Sequence, residues 1–110
     1  MNPWVLLALA ITAEVIGTTA LKASEGFTRI VPSVLVALGY GAAFYLMSQA
    51  LKSLEVGTVY AVWSGVGIVA TAIIGLIAFR ENLDAPKLIG IALIVVGVVV
   101  LQAFSKTISR

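Results

Sequence analysis

The chain has no cysteine and no histidine. Disulfides, thiol chemistry, and histidine-based metal sites or proton switches are excluded with them. Charge is scarce too, at 11% of 110 residues, where a soluble domain carries about a quarter. The net charge of +2 is too small and too scattered to mark a nucleic-acid surface. No cofactor, metal site or catalytic constellation is expected, so the chain does not read as an enzyme. Only three prolines occur, Pro3, Pro32 and Pro86. They fall at the start, in the first turn, or just ahead of candidate helices, where a missing N–H costs little.

What is present is apolar. Residues of that type make up 61% of the sequence, and mean hydropathy is +1.13. Such a chain could not cover its surface in water, and it reads as an all-α integral membrane protein. Four windows stand out, at 4–21, 30–51, 56–79 and 88–104; Glu14 is the only charged residue in them. A bilayer core of roughly 30 Å takes about 20 helical residues. A barrel strand would instead alternate over about ten. The expected architecture is a single membrane domain, 1–110, of four transmembrane helices with loops at 22–29, 52–55 and 80–87. The first window lacks a basic n-region and carries Glu14 in its middle, so it reads as a span rather than a cleaved signal peptide.

Orientation is weakly specified. With four spans both termini share a side, which carries Lys52, Lys106 and Arg110; the opposite loops carry Lys22, Arg29, Arg80 and Lys87. Three against four gives the positive-inside rule almost nothing to act on. Either one side wins by a small margin, or copies insert both ways and pair as an antiparallel dual-topology homodimer. The second arrangement supplies the inverted symmetry that many transporters obtain from internal repeats.

Glu14 is the chemical anomaly. A charged carboxylate at mid-helix costs roughly 2.5–3.5 kcal/mol on insertion scales. No Lys or Arg within any window can pair with it. It either stays protonated and hydrogen-bonded as a structural group, or faces an aqueous cavity and exchanges its proton for a cation. The second use suits a group that is neutral when protonated and anionic when empty. Two copies facing each other across a dimer would titrate as a coupled pair.

Helical spacing places candidates around it. Ala10, Glu14, Gly17, Thr18 and Leu21 form one stripe, small apart from the acid and Leu21, and are expected to leave room beside the carboxylate. Ala37, Tyr40, Gly41 and Phe44 make a face in the second window; Tyr60, Trp63, Ser64 and Gly67 make one in the third. Aromatic faces attract cations, and Tyr or Trp can also hydrogen-bond. Tyr and Trp also anchor at membrane interfaces, a role that suits Trp4; Tyr60 and Trp63 lie one and two turns inside their window. Gly65 and Gly67 could pack closely or permit a kink. Gly90, Ile94, Gly97 and Leu101 recur at heptad spacing and are expected to form the dimer contact, since small residues let membrane helices approach.

The segments "MNPW", "AEVIGTTALKASEGFTRIVPS" and "GTVYAVWSGVGIV", with the helix from Gly90 to Gly97, closely resemble the small multidrug resistance family of bacterial transporters. The resemblance spans essentially the whole chain. It implies a four-helix subunit, an antiparallel homodimer in the bacterial inner membrane, and proton-coupled export by alternating access. The family's essential membrane glutamate corresponds to Glu14, its substrate-contacting aromatics to Tyr40, Phe44, Tyr60 and Trp63, and its flexible glycines to Gly65 and Gly67. "AEVIGTT" with "YAVWSGVG" is similar to the branch that exports lipophilic and quaternary ammonium cations. The guanidinium-exporting branch usually has Trp at the position of Gly17 and Thr at that of Ser64. Three features depart from the best-known multidrug member. Trp4 replaces a Tyr, Ala43 replaces a small polar residue, and "LKSLEVGT" looks closer to the guanidinium exporters. Guanidinium export is therefore the nearest alternative. A proton-translocating ring subunit is a second, although such subunits typically have two helices and no cavity aromatics. A non-transport assembly or lipid-handling protein is a third.

Overall fold

A computed structural model of the chain describes residues 2–104. Lys106 and Arg110, counted above for orientation, lie outside the described residues. The four helices are α1 (Pro3–Ala23), α2 (Ile30–Ala50), α3 (Val56–Ala78) and α4 (Ala85–Phe104). At 21, 21, 23 and 20 residues, each is long and apolar enough to cross a membrane.

Local chemistry sets the helix ends. The Asn2 side chain accepts the Trp4 N–H at 2.8 Å, and Pro3 occupies the first position of α1. Lys22 falls in the last turn of α1 rather than in the loop, where a cation suits the helix C-terminus. The fourth helix begins three residues before the charge-free window. Its start is fixed by Asp84, whose Oδ1 accepts the Lys87 N–H at 3.0 Å. Pro86 is thus the second residue of α4 and not a residue ahead of it; in a first turn its missing N–H breaks no helical bond.

Helices α1 and α2 make one compact unit, α3 and α4 another. In the first, the connection is a tight corner. Glu25, Gly26 and Phe27 all have left-handed φ, at 49°, 72° and 66°. For Glu25 and Phe27 that conformation costs on the order of 1–2 kcal/mol each. Ser24, fully buried, secures the corner: its Oγ donates to Leu21 O at 2.7 Å and accepts the Phe27 N–H at 3.1 Å. The Ser24 carbonyl takes the N–H groups of both Thr28 and Arg29.

In the second unit, Gly65 of α3 receives a side chain of α4. A Cβ at that position would collide with Val98. An apolar cleft of about 390 Å³ beside this contact is lined by Val66, Val69, Ile73, Val95 and Val99 among others. The end of α3 is closed by Gly75, whose carbonyl accepts from the Phe79 and Glu81 N–H groups at 3.2 and 2.9 Å. Arg80 between them takes φ 55°. None of the described residues of α4 is buried.

Candidate functional site

Glu14 sits half-buried on α1, and it is the one acid within any of the four helices. One turn on, the Thr18 hydroxyl donates to Glu14 Oε1 at 3.0 Å. The Tyr40 hydroxyl of α2 lies 2.7 Å from the same Thr18 oxygen. A threonine hydroxyl has a single proton. With that proton on the carboxylate, the phenol is the donor to Thr18. The three side chains then form a chain of hydrogen bonds from Tyr40 through Thr18 to Glu14.

Backbone proximity brings Tyr40 there. A Cβ on Gly39 would stand only 2.9 Å from Ala13 O and from Gly17 Cα. Helices α1 and α2 therefore touch main chain to main chain, as small residues allow in membrane helices. The next residue, Tyr40, lies over Gly17: a Cβ there would meet the Tyr40 backbone N at 3.4 Å and its ring at 3.5 Å. The room that Gly17 was expected to leave for a ligand is thus taken by α2, because the helices close on each other at that point. Ala10 is fully buried, while Leu21 at the end of the stripe is exposed.

The Tyr40 and Phe44 rings stack with centroids 6.4 Å apart and planes at 26°. Phe44 is more than half exposed, and Ala37 and Gly41 on the same helix are exposed as well. Glu14, Gly17, Thr18, Tyr40 and Phe44 therefore belong to one cluster in the first unit.

In the second unit, Tyr60, Trp63 and Ser64 follow at i, i+3 and i+4 on α3. Tyr60 is 70% exposed, and Trp63 and Ser64 are half-buried. Gly65 and Gly67 are buried within an uninterrupted helix. Thr71 returns a hydrogen bond to the Gly67 carbonyl at 2.8 Å, a bond of the kind that weakens and bends helices. On α4, a Cβ at Gly90 or Gly97 would meet nothing within 4 Å. Ile94 is partly exposed but also points a methyl group towards Gly65, and Leu101 is half-buried.

Gly39 and Ser24 were absent from the sequence-derived site. Gly39 was detectable: Ala13 and Gly17, and Gly39 and Ala43, are both small pairs four apart, the spacing of a close helix contact. The Ser24 corner had no comparable signal, because a left-handed Phe27 is contrary to residue preference.

Known proteins of similar sequence give the chain its relatives. The family model described as Small Multidrug Resistance protein matches residues 2–94. The quaternary ammonium compound-resistance protein QacF of Klebsiella aerogenes is 56% identical over 106 residues, 96% of each chain. QacE of Escherichia coli, with the same description, is 52% identical over 106 residues, again 96% of each. The multidrug transporter EmrE of Escherichia coli K12 is 47% identical over 107 residues, 97% of each.

Proposed function

The chain belongs to the small multidrug resistance family, and from that premise we propose that it is a proton-coupled antiporter exporting lipophilic and quaternary ammonium cations. It works as an antiparallel dual-topology homodimer in the bacterial inner membrane. Each subunit contributes Glu14, and protons and cation compete for the two carboxylates. The observation that carries this reading is Glu14 itself, an acid at mid-helix with the Thr18 hydroxyl as its partner and no basic residue in its own span before Lys22.

Coupling follows from charge. A protonated pair is neutral and releases the cation; a deprotonated pair attracts the next one. Alternating access exposes the same site to each side in turn, with Gly65 and Gly67 as the hinge of α3. Tyr40, Phe44, Tyr60 and Trp63 supply π faces to the cation and Ser64 a hydroxyl; Thr18 bonds the carboxylate, and Ala10 and Gly17, on the same face of α1, pack beside it rather than leave space. Gly90, Ile94, Gly97 and Leu101 of α4 meet the partner subunit.

The names of the relatives above favour quaternary ammonium cations over guanidinium. The direct test is proton-driven cation uptake into liposomes. Glu14→Gln should abolish both uptake and cation binding. Uptake retained by that variant would sink the mechanism.

A further inference from the structure

The hydrogen-bond chain does more than hold Glu14 in place. We propose that Thr18 is a positioning residue that transmits the protonation state of Glu14 to the Tyr40 hydroxyl, reversing the direction of the Tyr40–Thr18–Glu14 chain. The inference rests on the reading of Glu14 as the proton and cation site.

The chemistry is set by the number of protons each oxygen carries. When Glu14 is ionised it can only accept. Thr18 Oγ1, 3.0 Å away, spends its one proton on Oε1, and the Tyr40 hydroxyl, at 2.7 Å, must donate to Thr18. The phenol proton is then held inside the chain, and the Tyr40 oxygen keeps its lone pairs and the ring face for a cation. When Glu14 takes a proton on Oε1 it becomes the donor. Thr18 accepts there and turns its own proton to the Tyr40 oxygen, and the phenol O–H is released from the chain. Only the proton arriving at Glu14 is new; those of Thr18 and Tyr40 stay on their own oxygens and rotate. Arrival of a proton thus removes the carboxylate charge and turns a second group, Tyr40, from a cation acceptor into an outward donor.

Two features make the geometry firm enough to work. The 2.7 Å contact spans two helices whose backbones touch at Gly39 and Gly17, so the phenol has little freedom to drift. Thr18 is on the same helix as Glu14 at i and i+4, a fixed neighbour relation. Among the described residues of this unit, the titratable groups outside the two helices are Glu25, Arg29 and Lys52, all in the connecting segments. Helix α2 carries only Tyr40 and Tyr45, and Tyr45 is 66% exposed. On α1 the other ionisable residue is Lys22, two turns beyond Glu14 and about 12 Å along the axis.

The experiment follows the Tyr40 ring carbon bearing the hydroxyl by 13C NMR, in protein reconstituted in lipid, with Tyr40→Phe assigning the signal. In the wild-type protein and in Thr18→Ser, which keeps the hydroxyl, this resonance should shift with pH at the same midpoint as proton–cation competition. In Thr18→Val, similar in shape but unable to hydrogen-bond, the pH-dependent shift should be lost. A Tyr40 resonance that moves equally in Thr18→Val overturns the proposal, and so does one that stays flat in the wild-type protein. The wild-type result stands even if Thr18→Val fails to fold. A flat Tyr40 signal together with dead transport in Glu14→Gln sinks the relay alone. Uptake surviving in Glu14→Gln sinks the antiport reading.

Discussion

The role proposed for Glu14 draws on its neighbours as much as on its charge. An isolated carboxylate at mid-helix would be held neutral by the cost of charging it in lipid. Here the Thr18 hydroxyl donates to it, and hydrogen bonds to an ionised group are worth about 1.5–3 kcal/mol, comparable with that cost. At the same scale, Trp63 offers a half-buried π face on α3. Trp63→Ala should weaken binding of aromatic cations by about tenfold, between the exposed and the desolvated limits of a cation–π contact, and of small aliphatic cations by much less. Equal losses for both, measured by ligand titration, would mean that Trp63 only packs.

At the scale of the helix, the decisive contact is Gly39 against Gly17. It sets how closely α1 and α2 approach and so whether Tyr40 can reach Thr18. Gly39→Ala must push main chain away from main chain, since the added carbon would lie 2.9 Å from Ala13 O. Overpacking of this kind costs about 1–3 kcal/mol. The variant should melt at lower temperature and lose the Tyr40–Thr18 hydrogen bond, seen as loss of the pH response of the Tyr40 signal. Unchanged stability would show that the helices are free to separate.

The four helices were legible in the sequence because lipid imposes long uncharged windows, and a single acid among them was conspicuous. Helix ends were less so. Lys22 and Lys87 lie inside helices that a charge-free criterion cut short: Lys22 is in the last turn of α1, where a cation suits the dipole, and Lys87 is in the first turn of α4, where its Nζ reaches back to the Asn82 carbonyl at 3.0 Å. Small residues were read as space for a ligand, yet Gly17 is filled by the neighbouring helix. Composition reveals that a residue is small but not which neighbour uses the room. The pairing of Tyr40 with Thr18 spans 22 residues and depends on that contact, so no local pattern announced it.

For the whole molecule, the near balance of basic residues is the property that dual topology requires. Lys and Arg number three on one side and four on the other, each side being identified by the alternation of spans. Two extra lysines in one set of loops should force nearly all copies into one orientation and reduce transport. Co-expression with a variant biased the opposite way should restore it. Transport unaffected by a single forced orientation would contradict an antiparallel dimer.

The central claim is that proton and cation compete for Glu14, and a pH titration of cation binding tests it most directly. Acidification neutralises the carboxylate and alkalinisation exposes its charge. The cation affinity of the wild-type protein should therefore fall on the acid side by about tenfold per pH unit for each proton that must leave. Glu14→Gln should show no specific binding at any pH. An affinity that is flat with pH in the wild-type protein, or a pH dependence that survives in Glu14→Gln, would contradict the account.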